Sequence, residues 1–426
     1  MMDIKKLIKL SIGKDLSKAC VLPFSQFNAY PMGTARACPM SELIKDIDLN
    51  KNTIDNSFNS DEYKNLRTDM MCGKENNICK ICYNMEKWGS ESYRQKANNS
   101  YLNEHNITIE DVVKNTSITG YKEPDFIKLD LRPSNICNFK CRTCSSDYST
   151  RWFEEEKAWK VENGFQITDD EFKITEKSFG ISNKSIKNLK EIYIAGGESL
   201  YMEEMYKFLE GIENKSEIRL NIHTNFSVLK FKKYDVFTLL SEFKSIMFFI
   251  SIDGVNDVGE YIRTGFKWDV FCKNIEKLLK VEDKNPKFNH NFHFTSSILN
   301  IFHFYEFLFE MKNRKFVKND SQIHFFPVRW PTYFNSINFD MKDRILEYYK
   351  RHLNTIESDF LKGQIENFIN YIENVDMKQD FNQLRNQDGV DSNAIKLFAS
   401  VVNFGNDFNK TKLPTQLSYL KKYLEN

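Results

Sequence analysis

The sequence predicts an α/β fold built on a parallel sheet wound one way, either open or closed into part of a barrel. Three observations predict it. Six short β-rich runs follow one another: Phe126–Arg132, Glu191–Ala195, Ile218–Thr224, Ile246–Asp253, Phe288–Ile298 and Gln322–Val328. Amphipathic stretches such as Tyr201–Glu213 and Trp268–Val281 lie between them, so strand-like and helix-like apolar patterns alternate along the chain. Strand and helix in series favour parallel pairing with right-handed crossovers. The third observation is placement: residues able to carry chemistry directly follow the first and second runs, at the carboxyl ends of strands where such folds build their sites.

Composition narrows the class. A chain of 426 residues is too long for one ordinary core and suits two or three domains. Its 60 basic and 59 acidic residues are spread along the sequence and give no global field to attract a polyanion, which argues against a nucleic-acid partner. The apolar stretch Ile246–Ile252 is far below the roughly 20 residues of a membrane span, and the lysine-rich start (Lys5, Lys6, Lys9) lacks a signal-peptide core. The expectation is a cytoplasmic protein with no membrane partner. Nine cysteines, an odd count without a secretion signal, point to metal or redox use rather than a disulfide framework.

Taken in order, the chain opens with a β-like run Cys20–Tyr30, a Pro31-Met32-Gly33-Thr34 turn and a returning segment to Cys38. Polar loops follow, then Cys79-x-x-Cys82, so this reads as a small cysteine-rich hairpin domain over 1–120. The six β/α units occupy 121–335. The first run leads into Cys137-Asn138-Phe139-Lys140-Cys141-Arg142-Thr143-Cys144, and the second into Gly196-Gly197-Glu198-Ser199. The fourth ends on Ser251-Ile252-Asp253-Gly254 and is followed by Tyr261-Ile262-Arg263-Thr264-Gly265. His223-Thr224-Asn225 and Ser297-Ile298-Leu299-Asn300 close the third and fifth runs as further pocket candidates. In the helical region 336–426, Met341–Leu353, Glu357–Glu373 and Leu417–Leu424 read as helices, with breaks near Asp388–Ser392 and Gly405–Lys410 and no chemical motif.

The cysteines carry the strongest chemical signal. Cys137, Cys141 and Cys144 offer three thiolates from one tight loop, enough for three irons of a [4Fe–4S] cluster with the fourth left open. No other Cys or His lies between His105 and His223 to complete a structural zinc site. Gly196 and Gly197 allow backbone to approach a ligand closely, and Glu198 offers an acceptor to an ammonium, although a plain strand-to-helix turn uses the same residues. Ser251 and Asp253 either reach a ligand or cap a helix. Cys20, Cys38, Cys79 and Cys82 form a closed set of four thiolates that fits a [4Fe–4S] cluster or a zinc ribbon, with Cys72 as a possible substitute ligand. Cys272, in a helical run, reads as a small buried hydrophobe, and His290 and His293 read as structural.

The CxxxCxxC loop resembles that of radical S-adenosylmethionine (SAM) enzymes, and the resemblance covers most of the chain. It implies a partial (β/α)6 TIM-like barrel in which Cys137, Cys141 and Cys144 hold a [4Fe–4S] cluster whose open iron binds SAM. An external electron donor such as flavodoxin or ferredoxin would then drive cleavage to a 5′-deoxyadenosyl radical that abstracts hydrogen from substrate. Gly196, Gly197 and Glu198 are similar to the family's GGEP segment at the SAM amino group, with Ser199 in place of the usual proline. Ser251 and Asp253 resemble the strand-end segment that reaches the ribose, and Arg263 the arginine that pairs with the carboxylate. Thr143 departs from the aromatic residue common before the third cysteine. Cys20, Gly33 and Cys38, with Cys79-x-x-Cys82-x-x-x-Glu86-x-x-Gly89-x-x-Ser92-x-Arg94, resemble SPASM and twitch domains, here N-terminal. That implies a second [4Fe–4S] cluster on Cys20, Cys38, Cys79 and Cys82. Relatives with such domains often modify peptides, so the expected substrate is a peptide. The alternatives are a carrier-bound sugar or nucleotide as substrate, or a zinc-stabilised, non-catalytic binding protein.

Overall fold

A computed structural model describes residues 13–168, 171–175, 180–328, 331, 334–335, 340–374 and 394–425. In chain order its main strands are β1 (Gln26–Ala29), β2 (Ala35–Arg36), β3 (Leu43–Ile44), β4 (Lys128–Leu131), β5 (Glu191–Ile194), β6 (Arg219–Thr224), β7 (Ser245–Ser251), β8 (Phe288–Ser296) and β9 (Ile323–Pro327). The six β-runs expected from the sequence appear as β4 to β9, and the parallel α/β class holds. The chain divides into two compact units. The first comprises Met1–Asn135, Thr175–Ile222 and Thr238–Ile246; the second comprises Ile136–Ile174, His223–Phe237 and Met247–Asn426.

In the first unit, β4 lies parallel to β5 and β5 to β6, with Leu129 opposite Ile192 and Ile192 opposite Leu220. Those residues, with Leu131, Ile194 and Ile222, are fully buried, while alternate positions such as Lys128 and Tyr193 are half-buried. This is the period-two pattern that made the strands visible in sequence. On the other side of β4, β1 pairs in parallel from Gln26 opposite Lys128 to Ala29 opposite Leu131, and β2 and β3 continue antiparallel. The sheet therefore begins in the N-terminal cysteine-bearing segment. Of the β-like run Cys20–Tyr30, only Gln26–Ala29 is strand. Leu22–Ser25 is a helical turn with Pro23 in its first turn, where a fixed φ and a missing N–H suit a helix start.

Arg67, on the Asp61–Met71 helix, is wholly buried. Its Nε donates to the Pro23 carbonyl at 2.8 Å and its Nη2 to the Phe58 carbonyl at 2.7 Å. Its Nη1 donates to Asn59 Oδ1 and the Gly120 carbonyl, both at 3.1 Å, and the guanidinium sits 3.9 Å from the Phe58 ring centre. Burial lowers its pKa to about 9, which leaves it charged at neutral pH. One side chain thus ties three loops together.

In the second unit, β7 neighbours β8, and β8 runs parallel to β9 with Phe292 opposite Ile323 and Phe294 opposite Phe325. Phe271, Ile275 and Leu278 of the Trp268–Lys284 helix are buried, as are Phe307 and Met311 of Phe304–Asn313. The Lys342–His352 and Asp359–Asn374 helices close on β9 through Tyr349, Phe368 and Phe325, whose ring centres lie 5.1 to 5.8 Å apart. The break expected near Gly405–Lys410 falls only at its far end: one helix runs Ala394–Asn409, and Lys410 turns out of it with φ +53°. A Cβ at Gly405 would stand 2.7 Å from Glu155 Oε1, so this glycine permits a close approach rather than ending a helix. The break expected at Asp388–Ser392 lies outside the described residues. Leu417–Leu424 is a 3₁₀ segment, Thr415–Leu420, followed by the short helix Lys421–Leu424.

Replacing Arg67 by methionine takes the donor from three buried carbonyls at once, while Asn59 Oδ1 keeps the Lys122 N–H. The expected cost is about 3 kcal/mol or more. It should appear as a lower urea midpoint with an unchanged m-value.

Candidate functional site

In the second unit, Lys140–Cys141 pairs antiparallel with Arg263–Thr264, placing Cys141 opposite Arg263. The pairing brings Arg263 Nη1 to 3.8 Å from Cys141 Sγ. Arg263 Nε lies 2.9 Å from Asp253 Oδ2, a charge contact whose angles miss a hydrogen bond. Burial alone would lower the Arg263 pKa, but Asp253 and then the Cys141 thiol outweigh it and raise the pKa. Asp253 is itself fixed: its Oδ1 accepts from the Thr295 N–H at 3.2 Å, and its carbonyl accepts from Asn300 Nδ2 at 2.9 Å. Asn300 Oδ1 accepts from the Ser297 N–H at 2.7 Å, so the Ser297–Asn300 segment acts here as a turn that holds Asp253. Ser251, half-buried, closes β7.

The loop is fastened along its length. Asn225, just past β6, donates to Asn138 Oδ1 at 2.9 Å, and Asn138 donates to Ser227 Oγ at 2.8 Å. Ser149 Oγ donates to the Phe139 carbonyl at 2.6 Å, and Trp152 Nε1 to the Cys141 carbonyl at 3.1 Å. The Phe139 N–H points at Cys137 Sγ at 3.4 Å, a donor that favours thiolate. Burial, then the neighbouring Cys141, pushes the Cys144 thiol up to about 12. A metal that binds here must therefore displace a proton.

Gly196, Gly197 and Glu198 belong to the first unit. Gly196 has φ +120°, and a Cβ there would meet the Ser134 carbonyl at 2.9 Å; the Gly197 N–H donates to that same carbonyl at 3.0 Å. The close approach expected of these glycines is real, against the chain's own backbone. Glu198 is buried, and its Oε1 accepts from the Leu200 N–H at 3.0 Å, capping the Ser199–Tyr201 turn.

The first unit also gathers the four N-terminal thiols. Cys20, Cys38, Cys79 and Cys82 are all buried. Burial and then Cys38 raise the Cys20 pKa, burial pushes Cys38 up to about 11 with Cys82 contributing, and burial followed by Cys20, Cys38 and Cys82 raises Cys79. The four thiols thus feel one another electrostatically, although among the described residues no three Cys, His, Asp or Glu side chains are arranged closely enough to hold a metal ion as they stand. The Glu86-to-Arg94 motif ties the Cys20 segment to the helix that carries Cys82. Arg94 forks onto Glu86, Nε to Oε1 at 2.9 Å and Nη2 to Oε2 at 2.7 Å, while its Nη1 donates to the Ala19 carbonyl at 2.8 Å. Ser92 donates to Glu86 Oε1 at 2.6 Å and caps the Tyr93–His105 helix. Asn98 on that helix accepts from the Val21 N–H at 2.9 Å and donates to the Ala19 carbonyl at 3.2 Å. Both neighbours of Cys20 are thus anchored to the Tyr93–His105 helix, and through Glu86 to the helix that carries Cys82. Cys72 is buried, and its backbone bridges to Asp15.

His290 is structural as expected, bonded to Glu282 at 2.6 Å and the Phe316 carbonyl at 2.9 Å. His293 has more company than the sequence suggested, with His223 at 4.7 Å and His324 at 4.9 Å between ring centres. Burial, then His223 and His324, holds its pKa down to about 2. Sequence reasoning also missed the Ala394–Asn409 helix as part of the site's surroundings: Asn406 and Asn409 reach Arg142 and Lys140 of the cysteine loop. Their three-residue spacing, which shares a helix face, was the available signal.

The model of the Radical SAM superfamily matches residues 131–285. The chain carries a radical SAM domain over those residues. Cys137, Cys141, Cys144, Gly196, Gly197, Glu198, Ser251, Asp253 and Arg263 fall inside the matched radical SAM region; the four N-terminal thiols fall outside it. No curated protein matches the sequence. Similar solved structures include hexahistidine-tagged anSMEcpe with bound AdoMet, at 18% identity over 56% of this chain and 60% of that one, TM-score 0.35. Streptococcus suis SuiB bound to S-adenosylmethionine is 14% identical over 78% of this chain and 70% of that one, also at 0.35. The chain thus spans less than two thirds of anSMEcpe. Among the described residues, no helix is long and apolar enough to cross a membrane.

The Glu86–Arg94 fork makes a pH prediction. Arg94 donates to Glu86 and holds its carboxyl below the usual range, so the pair contributes fully above the ordinary carboxylate pKa and is lost as pH falls through the lowered folded value. Glu86→Gln should cost about 1–3 kcal/mol at neutral pH. It should also lose less stability than wild type between about pH 5 and about pH 3. Urea midpoints across that range check both; parallel curves for the two proteins would refute the assignment.

Proposed function

We propose that the chain reductively cleaves SAM at a [4Fe–4S] cluster held by Cys137, Cys141 and Cys144 and abstracts hydrogen from a peptide. A second, closed [4Fe–4S] cluster is proposed on Cys20, Cys38, Cys79 and Cys82. The observation that carries this reading is a three-thiol loop inside the matched radical SAM region, with no further Cys or His nearby in sequence to close it. When bound, the cluster and SAM supply the radical chemistry, using one electron from a donor such as flavodoxin or ferredoxin.

The chain's own residues bind, orient and charge-balance. The Phe139 N–H and the Arg263 guanidinium lie beside Cys137 and Cys141 and favour anionic sulfur. Asp253 keeps Arg263 charged, and Arg263 is the proposed partner of the SAM carboxylate. Gly196, Gly197 and Glu198 are the proposed contacts of the SAM amino group, and Ser251 of the ribose. Support for a peptide comes from the N-terminal thiol set and its Glu86-to-Arg94 stretch, which resemble a twitch domain.

Anaerobic reconstitution with iron and sulfide should give a brown protein with about eight irons per chain, four per cluster. With SAM and a strong reductant it should form 5′-deoxyadenosine. Cys141→Ala should abolish that product, and Cys79→Ala with Cys82→Ala should remove about half the iron while sparing much of the cleavage. A colourless, zinc-loaded protein without SAM cleavage would instead support the binding-protein reading. Deuterium transfer into 5′-deoxyadenosine from labelled peptides tests the substrate class, and transfer only from a carrier-bound sugar or nucleotide would overturn the peptide.

A further inference from the structure

Cys141 sits on a two-residue strand segment, and side chains there alternate between faces. One face turns Cys141 Sγ toward Arg263. The opposite face carries Lys140 and Arg142, and both meet the C-terminal helix Ala394–Asn409 or the turn after it. Lys140 Nζ donates to Asn409 Oδ1 at 2.7 Å and forms an ion pair with Glu155, while Asn409 Nδ2 donates to Glu155 Oε2 at 2.8 Å. Arg142 Nη2 donates to Asn406 Oδ1 at 2.8 Å and Thr411 Oγ1 at 3.1 Å, and its Nε donates to the Tyr261 carbonyl at 3.0 Å. The Tyr261 hydroxyl donates to the same Asn406 oxygen at 3.1 Å, and its ring lies 4.0 Å from the Arg142 guanidinium.

These contacts are mostly half-buried, and those from Lys140 and Arg142 are charge-assisted, the strong class of hydrogen bond. Arg142, Glu155 and Gly405 are packed so closely that a Cβ on Gly405 would lie 2.7 Å from the carboxylate and 3.3 Å from the guanidinium. The helix carrying Glu155 holds the C-terminal helix at one further position as well: Trp159 Nε1 donates to Ser400 Oγ at 3.1 Å. Because Lys140 and Arg142 are the immediate neighbours of Cys141, fixing both side chains fixes the backbone that aims its sulfur.

We propose that the C-terminal helix is a clamp on the back of the cysteine loop, with Asn406 and Asn409 as positioning residues for Cys141. The consequence for a bound cluster rests on the radical SAM reading of that loop; the clamp itself does not. Asn406 and Asn409 touch neither thiol nor substrate in this role. They act through Arg142 and Lys140.

The test uses the full chain with Asn406→Ala, Asn409→Ala and the double variant. Asn403→Ala is the control, since Asn403 on the same helix donates instead to the Leu424 carbonyl at 2.7 Å. In the metal-free protein, alkylation of Cys141 by iodoacetamide, followed by mass spectrometry, should accelerate roughly ten-fold or more in the double variant, as loss of charge-assisted bonds implies. Cys272, buried in its own helix, serves as the internal reference for global unfolding. In iron-loaded protein, the double variant should lose iron from the loop to a ferrous chelator several-fold faster, with altered electron paramagnetic resonance of the reduced cluster. Asn403→Ala should match wild type in both. Should the double variant fail to fold, Thr411→Val, which removes one acceptor of Arg142, carries the same alkylation test. Wild-type alkylation rates in the Asn406 and Asn409 variants overturn the clamp. Accelerated alkylation in those variants, together with a wild-type protein that binds no iron, keeps the clamp and overturns the cluster reading.

Discussion

The second unit depends on a very small piece of β-structure, the pairing of Lys140–Cys141 with Arg263–Thr264. A two-residue ladder contributes little stability by itself. Its importance is geometric: it assigns Cys141 to one face and Lys140 and Arg142 to the other, and it delivers Arg263 to the thiol face. Everything that steadies the loop then acts on one of those two faces. Asp253, Thr295 and Asn300 support the arginine side; Glu155, Asn406 and Asn409 support the lysine side. Gly265, at φ +104° with a Cβ position 3.1 Å from the Asn138 carbonyl, lets the two backbones come close enough to pair.

The N-terminal thiols are organised by a different device. There a half-buried ion pair, Glu86 with Arg94, sets one edge of the guanidinium on the carboxylate and the remaining nitrogen on the backbone next to Cys20. A lysine could supply the charge but not the fork, so the motif asks for arginine by shape. Arg67 follows the same logic deeper in the unit, with four oxygens and an aromatic face in place of a charged partner.

How much of this was legible in the sequence follows from the range of each interaction. Strands β4 to β9 announce themselves because alternating apolar residues are a local pattern, and the three cysteines because their spacing is local too. The Asp253–Arg263 contact was half visible: both residues stood out as candidates, but the register that turns Arg263 toward Cys141 is not written in their spacing. Gly405 misled for a physical reason. Glycine and asparagine usually mark helix ends, and here tertiary packing against Glu155 requires the missing side chain instead. Asn406 and Asn409 stayed invisible because their partners lie 264 and 269 residues upstream. The three-imidazole cluster escaped notice because β6, β8 and β9 each contribute a single member to it.

That sequence separation has a consequence for how the protein is made. A chain emerging from the ribosome exposes Cys137, Cys141 and Cys144 long before residues 394–411 exist, and contacts this distant in sequence form late because closing so long a loop is entropically slow. Until the helix Ala394–Asn409 docks, Lys140 and Arg142 lack their Asn409, Asn406 and Thr411 partners. The bracing of the thiol loop therefore depends on residues 394–411. In that order of events, the helix Ala394–Asn409 braces a loop whose local bonds have already formed.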